Sequence, residues 1–72
     1  MKTKQTLSVT VQRMLLHAVK SHGVEDALMS IEESLTGDEY DAVESFLKWL
    51  TAKGRNFGWN IAEVVADWEN DQ

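Results

Sequence analysis

The chain has 72 residues, seven of them basic and twelve acidic, for a net charge of −5. This length makes one small domain spanning 1–72. It contains no cysteine, so neither a disulfide nor a thiolate nucleophile is available, and it contains no proline. No apolar run approaches the ~18 residues of a membrane span, and the N-terminus lacks the apolar core of a signal peptide, so a cytoplasmic protein is expected.

The net charge conceals four blocks. Residues 1–24 carry Lys2, Lys4, Arg13 and Lys20 and no acid. Residues 25–44 carry Glu25, Asp26, Glu32, Glu33, Asp38, Glu39, Asp41 and Glu44 and no base. Residues 45–62 carry Lys48, Lys53 and Arg55, and residues 63–72 carry Glu63, Asp67, Glu69 and Asp71. Blocks of one sign either compensate one another within the fold or face a partner of opposite sign.

The first apolar run, Thr6-Leu7-Ser8-Val9-Thr10-Val11-Gln12, alternates apolar and polar residues as a half-buried strand does, then continues into a helical pattern. Read as helix over about 8–22, Leu7, Val11, Met14, Leu15 and Ala18 form one stripe, with Ser8 or Thr6 as cap. Val9 and Leu16 then fall on the opposite side, which asks for burial on two faces or contact with another chain. Read as strand over 5–11, the β-branched residues fit, but nothing downstream offers a partner strand. The strand would have to pair with its own copy in a homodimer. That order, a short strand and two helices, resembles the plan of ribbon–helix–helix repressors, over roughly residues 4–35. The resemblance implies a DNA-binding regulator in which Gln5, Ser8, Thr10 or Gln12 reach base edges and Lys2 and Lys4 touch phosphates.

Val24, Ala27, Leu28, Ile31 and Leu35 share a narrow stripe, predicting a second helix over about 25–35, with Gly23 ending the first. Thr36-Gly37-Asp38-Glu39 is a capping box, with Leu35 and Tyr40 placed as a hydrophobic staple. It opens a third helix over about 37–53, stopped at Gly54. The apolar positions of this helix cover about half its circumference, as a central helix touched on two sides requires. Arg55-Asn56-Phe57-Gly58 reads as a loop that tucks Phe57 beneath the helices. Asn60 and Glu63 repeat the capping pattern, with Trp59 and Val64 as staple, and Ile61, Val64, Val65 and Trp68 predict a fourth helix over about 61–69. Residues 70–72 read as a frayed end. The expected fold is all-α, a compact bundle of about four short helices.

Catalysis is not expected. His17 and His22 are five apart, so they do not share a helix face as i, i+4 metal ligands do, and no acid in residues 1–24 orients either ring. The glycines form no phosphate loop, and the acids sit where capping and solvation explain them. Neither a cofactor nor a metal is expected. A helix–turn–helix reading of residues 24–50 fails on charge: its reading helix would open with Asp38, Glu39, Asp41 and Glu44, which phosphates repel.

Protein binding suits the composition better. Three tryptophans stand among only six aromatics, and tryptophan is a preferred interface anchor. Trp59 and Trp68 read as core, whereas Trp49 lies at the edge of its helix's apolar arc. Met29 lies off its helix's stripe among Glu25, Glu32 and Glu33. The expected interface is therefore Glu25, Met29, Glu32, Glu33, Asp41, Glu44 and Trp49, an acidic face for a protein with a basic surface. A regulator, an inhibitor or a nucleic-acid mimic would each have this form. A structural assembly subunit, with Val9, Leu16 and Trp49 as contacts, is the remaining alternative.

Overall fold

Ser8 decides the fate of the N-terminal run. Its backbone is extended (φ −67°, ψ 161°), and its hydroxyl accepts from the backbone N–H of Val11 at 3.2 Å, capping a helix over Val9–His22 (α1). The Gln12 side chain reaches back to donate to the carbonyl of Leu7 at 2.8 Å, fastening the entering chain to the first turn. In this computed structural model, which describes residues 4–55 and 60–72, there is no strand among the described residues. The alternative strand over 5–11 is thus corrected. Residues 4–8 belong to no helix or strand, and Val9, Thr10 and Val11 are helical because Ser8 satisfies a free N–H of the first turn. Leu7 supplies the apolar contact, at 5 % exposure.

Three more helices follow: Val24–Ile31 (α2), Gly37–Ala52 (α3) and Ile61–Asn70 (α4). α2 is shorter than the expected 25–35, because the chain tightens into one 3₁₀ turn over Glu32–Ser34. Gly23 both ends α1 and precedes α2. Its φ of +86° with ψ 165° is backbone that only glycine adopts readily, and its N–H bonds the Val19 carbonyl at 2.8 Å. Thr36 and Glu39 form the expected capping box: Glu39 N–H donates to Thr36 Oγ1 at 3.2 Å, and Thr36 N–H donates to Glu39 Oε1 at 2.9 Å. α3 closes in a Schellman arrangement around Gly54 (φ +65°). There Gly54 N–H bonds the Thr51 carbonyl at 3.1 Å and Arg55 N–H bonds the Leu50 carbonyl at 3.0 Å. Asn60 caps α4 through Glu63 N–H at 3.2 Å; here the Glu63 carboxylate takes the Asn60 side-chain amide at 3.1 Å instead of its backbone N–H.

The four apolar stripes meet in one core of Leu7, Val11, Leu15, Ala18, Ala27, Ala42, Val43, Phe46, Leu47, Leu50, Ile61, Val64, Val65 and Trp68. α3 is its centre, with five buried residues spread over two sides, as the breadth of its apolar arc requires. Trp68 meets Phe46 edge-to-face at a centroid distance of 5.4 Å, and Trp49 stacks on the same ring at 6.1 Å. No polar or charged side chain is buried among the described residues. The radius of gyration of 11.2 Å equals the about 11 Å expected of a folded chain this long. Leu16 packs at the margin of the core, whereas Val9 stays 63 % exposed. The expected burial of Phe57 and Trp59 falls outside the described residues.

The terminal residues 70–72, read from the sequence as frayed, carry contacts. Gln5 and Gln72 exchange two hydrogen bonds, Gln5 N–H to Gln72 Oε1 at 2.9 Å and Gln72 Nε2 to the Gln5 carbonyl at 2.8 Å. The two ends of the chain are thereby joined across 67 residues.

Candidate protein interface

The third and fourth charge blocks are folded against each other. Arg55 Nη1 meets Asp67 Oδ2 at 2.8 Å, and Lys53 Nζ lies 3.8 Å from Asp71 Oδ2. α3 and α4 pack together, and the basic residues at and beyond the end of α3 face Asp67 in α4 and Asp71 just past its end. Trp49 belongs to this cluster. Its Nε1–H donates to Asp71 Oδ2 at 2.6 Å, and the Arg55 guanidinium stands 5.8 Å from its ring centroid. A cleft of about 350 Å³ runs between these side chains. Trp49 is half-buried, with its polar edge engaged by its own chain, and it lies at the opposite end of α3 from Asp41. No sequence signal named Asp71 as its partner. The adjacency of the +3 and −4 blocks pointed only to compensation between them.

The second block is arranged differently. Lys48 reaches Glu44 at 3.8 Å, an exposed pair one helical turn apart. None of the ion pairs among the described residues includes Glu25, Asp26, Glu32, Glu33, Asp38 or Asp41. Glu25, Glu32, Glu33 and Asp41 are all exposed, and Met29 between them is exposed to 71 %. Of the seven expected interface residues, Glu25, Met29, Glu32 and Glu33 therefore share the outer side of α2 and its 3₁₀ extension. Asp41 and Glu44 sit on the first half of α3, and Trp49 stands apart. Near Asp38, Glu39 and Asp41 the N-terminal segment brings Lys4 to the wall of the same cleft, about 470 Å³ in volume. Of the acids of α2, Glu25 shares the wall of a cleft with Lys48.

A third depression, about 450 Å³, lies between α2 and α3. Val24, Leu28 and Leu47 supply its apolar surface, Thr51 and Ala52 one wall, and Glu25 and Lys48 its charged edges. Leu47 belongs to the core, and Val24 and Leu28 pack against it, as their periodicity predicts. The groove lies beside the first turns of α2 and the last turns of α3.

His17 and His22 are exposed on α1. Among the described residues no group of three or more His, Asp or Glu side chains is placed to hold a metal ion, and no helix is long and apolar enough to cross a membrane. The fold is that of a small all-α bundle. No protein-family model matches the sequence, and no curated protein or solved structure is significantly similar to it.

Proposed function

We propose that this chain is a non-catalytic protein-binding module that presents the acidic outer side of α2 and the first half of α3 to a partner with a basic surface. The observation that carries this reading is the asymmetry of charge pairing. The acids of the C-terminal block are taken up by Lys53 and Arg55, whereas those of residues 25–41 stay outside every ion pair described. Exposed, uncompensated charge of one sign steers association with a surface of the other sign and disfavours wrong partners. A cysteine-free chain of this kind suits the reducing cytoplasm. The ribbon–helix–helix alternative is not carried forward, since Val9, Thr10 and Val11 of its contact strand lie in the first turn of α1 and there is no strand among the described residues.

The test is charge reversal of Glu32, Glu33, Asp41 and Glu44 to lysine. Circular dichroism should be unchanged, because all four side chains lie outside the core. Capture of a partner from cell lysate should be lost, and binding by the native chain should weaken as salt rises. Undiminished capture by the folded variant rejects the acidic face.

A further inference from the structure

We infer that the groove between α2 and α3 is the contact face of a symmetric dimer, and that its occupant is a second copy of this chain; this goes beyond the function proposed above and shares only Glu25 with the acidic face. The depression, about 450 Å³ in volume, carries half-buried Val24 and Leu28 on its α2 side and Leu47 on its α3 side. Thr51 and Ala52 are exposed and form a wall of small side chains. Apolar surface left open in this way favours being covered.

What covers it follows from the two charged edges. Glu25 stands on the α2 side and Lys48 on the α3 side, and none of the ion pairs among the described residues joins them. A basic partner would meet Lys48 and an acidic partner would meet Glu25, each against its own sign. A second copy meets both edges with the opposite sign. When a two-fold axis runs along the groove, α2 of each copy lies over α3 of the other. Glu25 then faces the second copy's Lys48, and Lys48 faces its Glu25, so one patch supplies two reciprocal ion pairs. Self-complementarity of this kind is what an isologous interface demands, and isologous dimers are the commonest soluble homo-oligomers. The same arrangement sets Val24 and Leu28 of one copy over Thr51 and Ala52 of the other, whose small side chains admit them.

The pair between Lys48 and Glu44 does not withhold Lys48. It spans 3.8 Å with side-chain exposures of 78 % and 43 %, and an exposed pair of this kind contributes little. Beyond the groove, the exposed acids of α2 and of the first half of α3 repel their counterparts on a second copy, so contact is confined to the depression. A patch this small makes a weak, reversible dimer.

Sedimentation equilibrium of the full-length chain from about 10 μM to about 1 mM tests this. The mass should rise reversibly from the 8.2 kDa of one chain toward that of two. Glu25→Lys leaves two cations at the edges of the groove, and Lys48→Glu leaves two anions. Each variant alone should associate at least about tenfold more weakly than the native chain, with its circular dichroism unchanged. Mixed one to one, the two variants should regain the native mass, because their edges are then of opposite sign throughout. Ala52→Glu, at the exposed wall, should also leave a monomer, and it serves should either charge variant not fold. A native chain monomeric throughout, variants that associate as the native chain does, a mixture no heavier than its components, or a mass passing beyond two chains overturns the dimer.

Discussion

The indole N–H of Trp49 is hydrogen-bonded to the Asp71 carboxylate at 2.6 Å, tying the last full turn of α3 to the residue just past the end of α4. The same carboxylate oxygen faces Lys53 at 3.8 Å, and the ring carries Arg55 near its face. The clasp is exposed to solvent, so its net contribution is modest, about 0.5–1.5 kcal/mol for the hydrogen bond. Trp49→Phe keeps an aromatic ring at this position and removes the donor together with part of the indole surface. A double-mutant cycle in urea with Trp49→Phe and Asp71→Ala should return a coupling of that size. Zero coupling would show that the two residues stabilise the fold independently.

The glycines separate by backbone angle. No atom lies within 4 Å of a Cβ placed at Gly23, Gly37 or Gly54, so steric overlap decides nothing. Gly23→Ala forces alanine into the φ +86° backbone and should cost about 1–3 kcal/mol. Gly54→Ala, at φ +65°, should cost about 1–2 kcal/mol. Gly37 sits at the first position of α3 with ordinary φ, so Gly37→Ala should gain about 0.4–1 kcal/mol by restricting the unfolded chain. Chemical denaturation of the three variants tests the order, and a destabilised Gly37→Ala would refute it.

Loss of the α3 cap should be felt through the whole bundle, since α3 is its centre. Thr36→Ala removes the acceptor for Glu39 N–H and should cost about 1 kcal/mol. Thr36→Asp keeps an acceptor and should restore most of that. Hydrogen exchange of the Glu39 amide should accelerate in the alanine variant and not in the aspartate variant.

Phe46 and Trp68 are the two largest fully buried side chains. Phe46→Ala should cost about 3–5 kcal/mol. That is a large part of the about 4–11 kcal/mol expected of a domain this size, so the variant should be partly unfolded at room temperature by circular dichroism. Met29→Ala, at a position exposed to 71 %, should stay within about 0.5 kcal/mol of the native chain. A Met29→Ala variant as unstable as Phe46→Ala would place Met29 in the core and remove it from the proposed acidic face.

What the sequence by itself determined is what is settled within a few residues. The Thr36–Glu39 box, the stop at Gly54 and the Asn60 cap each depend on hydrogen bonds spanning five residues or fewer, so the bounds of α3 and α4 were legible to within a residue. The stripe of Leu7, Val11, Leu15 and Ala18 was legible for the same reason, because helical periodicity puts those residues on one side whatever lies opposite. Tertiary structure alone decided the rest. It chose Ser8 over Thr6 as the cap and the expected helix over the alternative strand, because a helix from Val9 delivers its stripe to the core and a lone strand would leave its backbone unpaired. It brought Asp71 to Trp49 across 22 residues and Gln72 to Gln5 across 67. It also left Val9 in solvent and Leu16 at the core margin, although both stand off the same stripe. Such pairings depend on which helix lies beside which, and that follows from packing all four stripes at once.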